Sequence, residues 1–135
     1  MPGYDRLRRV RREECELADS ILRSKAKEYA IQVVLLCREL RKNGVEAALV
    51  NQLMRAGTSV GANVYEAQYA QSTKDFVSKL EIALKECNES DYWLDLLHEV
   101  GSITEPDFRA IHEKIIELRR MLVSSVKTMK AKEKG

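Results

Sequence analysis

The sequence has few residues that interrupt helices and few that build disulfide or metal sites. Its 135 residues include 2 prolines, 6 glycines, 3 cysteines and 2 histidines. The scarcity of proline and glycine disfavours β-rich and loop-rich folds, which need many turn residues. An odd number of cysteines without a CxxC pair argues against a disulfide framework. We therefore expect Cys37 and Cys87 to be small core residues.

Long apolar runs are also missing. Stretches such as Val33 to Cys37 are far too short to span a bilayer, and no basic segment followed by an apolar leader opens the chain. We expect a cytoplasmic protein with no membrane partner. The length fits one domain that can bury a core without a disulfide or a structural metal.

The net charge of +2 is small, but the basic residues are unevenly distributed. Arginines crowd the start of the chain and lysines the end: Arg6, Arg8, Arg9, Arg11, Arg12, Lys127 and Lys130. Such clusters could contact RNA or DNA phosphates. The alternative is a solvated terminal arm and lysines that complement a helix dipole.

Apolar residues recur at spacings of 4 and 3 in four segments, which is typical of amphipathic helices. The first predicted helix runs from about Ser20 to Lys42, and residues 5–19 could extend it. The second spans about Glu46 to Ala70, the third begins after Ser72 and ends at Gly101, and the fourth begins after Thr104. Short connections predict an all-α, up-down-up-down antiparallel four-helix bundle. We divide the chain into a basic N-terminal extension over 1–18, the bundle over 19–131 and a C-terminal tail over 132–135.

The second helix contains the unusual run RAGTSVGANVYEA, from Arg55 to Ala67. Gly57 and Gly61 each cost a helix up to about 1 kcal/mol relative to alanine, so we expect them to allow close helix packing. The same spacing places Asn63 within an otherwise apolar stripe, where its amide needs partners.

A polar ladder runs along this helix and faces acidic groups of the third helix. Its members are Arg55, Ser59, Asn63 and Glu66, and the third helix offers Glu86 and Glu89. We predict a structural network that joins Arg55 to Glu89 or Glu86. The alternative is a ladder that lines a ligand site.

No catalytic or metal-binding pattern is complete. Asp95 and His98 form one Asp-x-x-His, where a bundle dimetal site needs two carboxylate-x-x-His motifs and further carboxylates. Thr58 and Ser59 have no histidine at helical spacing, and the GTSVG string lacks the context of a phosphate loop. We predict a protein that is not an enzyme and has no metal and no cofactor.

The third helix is apolar on most sides near Tyr92, Trp93 and Leu96. A helix wetted on one face needs only one apolar stripe, so these residues predict a second packing partner such as another subunit. The alternative is that this end is simply central in the bundle.

Two strings carry a family resemblance: RAGTSVGANVYEA from Arg55 and AQSTKDFVSKLEIALKECNESDYWLDLL from Ala70. They resemble the four-helix-bundle proteins encoded in intervening sequences of large-subunit (23S) ribosomal RNA genes. The resemblance covers about Asp19 to Lys130 and implies homo-oligomers, often rings of five. It extends distantly to the accessory variability protein of diversity-generating retroelements, which implies possible nucleic-acid binding. We predict a non-catalytic, homo-oligomeric assembly or accessory module, with an RNA- or DNA-binding accessory protein as the alternative.

Overall fold

Four α-helices account for most of the chain. The computed structural model describes residues 2–134, so Met1 and Gly135, the outer ends of the predicted extension and tail, lie outside the described residues. The helices are α1 (Pro2–Lys42), α2 (Ala47–Ala67), α3 (Thr73–Glu99) and α4 (Glu105–Lys134). Each helix packs against the next, and α4 returns to α1. The predicted all-α four-helix bundle is confirmed, with α1 and α3 diagonally opposite.

Glycine ends two of the helices in the predicted way. Gly44 and Gly101 have φ of 76° and 85°, a backbone region that other residues rarely adopt. The amide of Val45 donates to the carbonyl of Leu40 at 3.0 Å, and that of Ser102 to Leu97 at 2.8 Å. Both are six-residue closures typical of helices that end at glycine.

The predicted N-terminal caps are also present. The Ser72 hydroxyl accepts from the amide of Asp75 at 3.0 Å, and the Thr104 hydroxyl accepts from that of Asp107 at 3.4 Å. The predicted end of the second helix at Ala70 was wrong. The helix stops at Ala67 because the next three amides bond only three residues back, as a series of tight turns.

The first helix is longer than its apolar stripe predicted. α1 begins at Pro2 rather than near Ser20 and continues through residue 18 without a break, so residues 5–19 do extend it. Residues 132–134 likewise continue α4. All side chains from residue 3 to residue 14 are exposed. We call residues 3–17 the arm, since its outer part extends beyond the packed core.

The core consists of one apolar stripe from each helix. Its largest fully buried side chains are Leu22, Tyr29, Val33, Leu40, Val50, Leu53, Leu80, Leu94, Leu97, Ile115, Leu118 and Leu122. The prediction that Asn63 lies within the stripe was wrong: Val64 is buried at that level, while Asn63 is half-buried at the edge. Its Nδ2 donates to the carbonyl of Ser59 on the same helix at 2.8 Å.

The glycines of α2 bring it close to α1, as predicted. A Cβ atom at Gly57 would lie 2.7 Å from both methyl groups of Val33, and one at Gly61 would lie 3.4 Å from the carbonyl oxygen of Ala26. Only a hydrogen fits at Gly57. The close approach between the helices offsets the helix propensity that glycine gives up.

One polar contact crosses the core between the diagonal helices. The Tyr29 hydroxyl of α1 lies 2.7 Å from Ser90 Oγ of α3, and Ser90 Oγ in turn donates to the carbonyl of Cys87 at 2.7 Å. Tyr29 is therefore the donor to Ser90. Both side chains are fully buried, and burial raises the pKa of Tyr29 well above its ordinary value.

Candidate functional site

The polar ladder of α2 meets α3 at one arginine. Arg55 contacts both predicted carboxylates: Nη1 lies 3.2 Å from Glu86, and Nη2 bonds Glu89. Gln52 accepts a longer bond from the same guanidinium at 3.5 Å. The bond from Arg55 holds the pKa of Glu89 below its ordinary value, and Glu89 raises the pKa of Arg55. Arg55 is half exposed, so these are surface ion pairs that link two helices.

The rest of the ladder does not join this contact. Ser59 Oγ donates to the carbonyl of Arg55 at 2.6 Å, one turn back on α2, as Asn63 does to Ser59. Glu66 pairs separately with Lys79 of α3 at 3.0 Å, which raises the pKa of Lys79. The ladder therefore contacts α3 through ions at two separate places, Arg55 and Glu66, with backbone-bonded side chains between them.

The outer face of α3 carries a group of large apolar side chains. Tyr92 is 59% exposed, while Trp93 and Leu96 are half-buried, and Trp93 packs against the core. The rings of Tyr92 and Trp93 meet edge to face, with centroids 5.0 Å apart. Ile82 on the same helix and Val100, the residue that follows its end, are also exposed. We call Ile82, Tyr92, Trp93, Leu96 and Val100 the α3 face.

The two basic clusters lie at the same end of the molecule. Because α4 runs antiparallel to α1, its last turns return to the start of α1, and Lys132 Nζ lies 3.2 Å from Cys15 Sγ. The five arginines of the arm are exposed. Among them, Arg9 pairs loosely with Glu13 at 3.9 Å, and Arg8 stacks over the Tyr4 ring at 4.7 Å.

The lysines of α4 differ in their surroundings. Lys130 pairs with Glu81 of α3 at 2.6 Å, whereas Lys127 is exposed. The arginines occupy several sides of the arm, and Glu13, Glu14 and Glu16 follow them directly. The basic groups are thus concentrated at one end but interleaved with carboxylates.

Sequence reasoning missed a stack of three rings between α3 and α4. Phe108 lies between the two histidines, with centroids 4.1 Å from His98 and 5.1 Å from His112. His98 Nε2 is 2.6 Å from Glu105, and His112 Nε2 is 3.4 Å from Asp91. The spacing of Phe108 and His112 by one helical turn was the available signal, but only the fold brings His98 to them.

The cysteines and acidic groups form no metal cage in the part of the chain that the structure describes, residues 2–134. Cys37 and Cys87 are buried as predicted, and burial raises the pKa of both thiols to about 11. Cys15 is half-buried beside α4. Across the same residues, no helix is long and apolar enough to cross a bilayer.

A groove of about 370 Å³ opens at the end of the bundle where the arm joins it. Asp19 and Arg23 of α1, Gln68, and the start of α3 line it. Arg23 donates to the Gln68 side-chain oxygen at 2.6 Å, and burial raises the pKa of Asp19. The hydrogen bond between Arg23 and Gln68 therefore joins two sides of the groove.

The sequence model of one protein family matches most of the chain. It is described as 23S rRNA-intervening sequence protein, and it matches residues 18–124. That span contains the bundle core, the Arg55 contact and the α3 face. The chain belongs to this family. The arm, residues 3–17, lies wholly outside the span that matches the family of 23S rRNA-intervening sequence proteins.

A crystal structure from the same group supports the assignment. A protein of unknown function from the S23 ribosomal protein family of Bacteroides thetaiotaomicron VPI-5482 is 39% identical, with a TM-score of 0.79. The similarity covers 82% of this chain and 98% of that protein. No curated protein matches the chain. The resemblance to the retroelement accessory protein stays a prediction.

Proposed function

We propose that this 23S rRNA-intervening sequence protein is a non-catalytic, homo-oligomeric assembly or accessory module that acts in the cytoplasm. The α3 face carries the proposal. Tyr92 and Val100 each expose about three fifths of their area, 59% and 60%, next to the half-buried Trp93. Aromatic side chains of this kind are enriched at the centres of protein interfaces.

The roles of the polar side chains support a non-catalytic protein. The Thr58 and Ser59 hydroxyls donate to carbonyls one turn back on α2, at 2.7 and 2.6 Å. Arg55 is engaged by two carboxylates of α3. The buried thiols of Cys37 and Cys87 have raised pKa values, whereas a nucleophilic cysteine needs a lowered one.

Light scattering on the purified protein tests the assembly. The monomer mass is 15.5 kDa, and we expect a multiple of that mass, with a ring of five as the assembly that the family resemblance implies. Replacing Trp93 and Tyr92 with alanine should lower the mass. The control replaces two exposed tyrosines elsewhere, Tyr65 of α2 and Tyr69 just after it, with alanine. A monomer at micromolar concentration would overturn the proposal.

Nucleic-acid binding is a second candidate because the fold brings the two basic clusters together. The arginines of the arm and Lys127 of α4 are exposed at one end, where Lys132 reaches Cys15. A surface that binds RNA or DNA phosphates releases counterions, so its affinity falls steeply with salt.

A binding titration against duplex and single-stranded RNA and DNA at several salt concentrations tests this candidate. Neutralising Arg8, Arg9, Arg11 and Arg12 to glutamine should weaken binding and flatten the salt dependence. The control neutralises Arg38 and Arg41, which are exposed near the other end of α1. Binding that is absent, or insensitive to salt and to the arm variant, would remove this candidate.

A further inference from the structure

The long first helix has a second apolar stripe, on the side away from the core. It consists of six exposed side chains: Leu7, Val10, Leu17, Ile21, Ile31 and Leu35. Each exposes between 41% and 62% of its area. Isolated exposed apolar residues are normal on a protein surface. Six in line along one helix are not, and we call them the outer stripe.

The outer stripe follows a coiled-coil repeat. All six residues occupy the first or fourth position of a single seven-residue repeat that begins at Leu7. The repeat positions between them hold Glu14, Ser24 and Glu28. Apolar residues sustained at these positions form the seam of a helix pair. The partner is therefore expected to be another helix.

Among the described residues, the arm is exposed along most of its length. Every side chain from residue 3 to residue 14 is exposed, and α4 contacts α1 at Cys15, through Lys132. A helix of this length that packs against nothing is marginal in water. Packing of its apolar side would stabilise it.

We propose that the partner is α1 of a second copy of this chain, packed antiparallel along the outer stripe; this rests on the homo-oligomer proposed above. In an antiparallel pair, first repeat positions face fourth positions. One register places Leu17 opposite Ile21 of the second copy and Leu7 opposite Ile31. The same register places Glu14 opposite Ser24, so polar side chains also meet each other.

The remaining seam pairs of this register each bring an apolar side chain opposite a residue that is not apolar. Val10 lies opposite Glu28, whose carboxylate already bonds Lys114 at 2.5 Å. Leu35 lies opposite Gly3, beside Tyr4. The twofold axis passes at the level of residue 19, where the flanking Ala18 and Ser20 are small and exposed and leave room for close approach.

Charge favours the antiparallel arrangement over the parallel one. The antiparallel register places the exposed Glu13 beside the exposed Lys27 of the other copy, twice in the pair. It also places Arg11 beside Lys25, but Lys25 is already paired with Glu117 at 3.4 Å. A parallel pair would instead place Glu14 against Glu14 of the second copy in the seam, and Arg6 beside Arg11 of the second copy. Both contacts bring like charges together.

The contact is isologous, so it joins copies two at a time. The arm of each copy would cover the Ile31 and Leu35 end of the other, and both ends of the outer stripe would be buried. The α3 face lies on the diagonally opposite helix. The two contacts therefore use different residues of the chain.

Light scattering on the full chain separates this inference from the proposed function. We expect an even number of copies, and we expect the mass to halve when Leu17 and Ile21 are both replaced by glutamate. Tyr65→Glu on α2 with Tyr69→Glu just after it is the control and should leave the mass unchanged. Circular dichroism should show that each variant remains helical.

An oligomer with an odd number of copies, or one whose mass the Leu17 and Ile21 variant leaves unchanged, would overturn the α1 contact and leave the assembly proposal standing. A monomeric wild type would overturn both. A mass lowered only by the α1 variant would support the α1 contact and overturn the proposed role of the α3 face as an interface.

Disulfide trapping tests the register. In a Cys15→Ser background, the variants Leu7→Cys and Ile31→Cys are mixed and oxidised, and the expected product is the mixed dimer. The parallel arrangement predicts instead that Leu7→Cys alone forms a disulfide with its own copy, whereas in the antiparallel pair the two positions 7 lie at opposite ends of the contact. Formation of that species, or failure of the mixed dimer to exceed a Tyr69→Cys control, would refute the antiparallel pair.

Discussion

The hydrogen bond between Tyr29 and Ser90 can be removed at either residue, and the two substitutions should destabilise the bundle by different amounts. Both hydroxyls are fully buried, 2.7 Å apart, and Ser90 also donates to the carbonyl of Cys87 at 2.7 Å. Tyr29→Phe removes the donor, but Ser90 keeps its own bond to Cys87. Ser90→Ala leaves the Tyr29 hydroxyl buried next to a methyl group.

The magnitudes follow from that asymmetry. A net hydrogen bond contributes about 1 kcal/mol, whereas a buried polar group left without a partner costs about 1–3 kcal/mol. We therefore expect Tyr29→Phe to cost about 1 kcal/mol and Ser90→Ala about 2 kcal/mol. In the double variant no hydroxyl is stranded, so the loss should be smaller than the sum of the single losses, with a coupling of about 1 kcal/mol.

Urea unfolding at several protein concentrations measures these free energies, provided that the slope with denaturant stays constant. The controls are Tyr65→Phe on α2 and Ser78→Ala on α3, both at exposed positions, which should change stability by less than about 0.5 kcal/mol. Equal single losses that add in the double variant would show that the hydroxyls do not depend on each other. The assignment of Tyr29 as the donor would then be refuted.

Three further predictions concern packing, pH and thiol access. Gly57→Ala should destabilise by about 1–3 kcal/mol because the new Cβ meets the Val33 methyl groups at 2.7 Å. Val33→Ala should recover part of that loss in urea unfolding, and a neutral Gly57→Ala would contradict the close approach. The bond from Arg55 lowers the pKa of Glu89 in the folded protein below the ordinary 4.5. The stability that the ion pair contributes is therefore complete above pH 4.5 and is lost as the pH falls through the lower pKa of the folded protein. Arg55→Met should therefore flatten the acid limb of the stability curve between those two pKa values, and an unchanged limb would count against the pair. Of the three thiols, Cys15 should react with a thiol reagent in the native protein. Cys37 and Cys87 are buried and have pKa values of about 11, so they should react only on unfolding. Rapid labelling of all three thiols would contradict the burial of Cys37 and Cys87.

Local chemistry made much of the fold predictable from the sequence. Gly44, Gly101, Ser72 and Thr104 act on their immediate neighbours, so their roles as helix stops and caps follow from residue type and position. The apolar stripes of α3 and α4 likewise follow from spacing along one helix. The end of α2 was less predictable, because tight turns after Ala67 still resemble a helix in sequence.

The polar ladder was only partly predictable, for a physical reason. Arg55 is long enough to reach α3, so its pairing with Glu86 and Glu89 follows from composition and helix order. Ser59 and Asn63 are short, and a carbonyl of their own helix is always within reach. Which partner such a side chain takes depends on how far it stands from the next helix.

The sequence by itself determined the four helices, most of their ends and the side of each helix that forms the core, because these depend on contacts within a few residues. The tertiary structure decided which distant groups meet. It placed Tyr29 against Ser90 across the bundle diagonal, brought His98 to Phe108 and left the outer stripe of α1 exposed. Those outcomes depend on how four helices pack and rotate against one another, and no single helix specifies that.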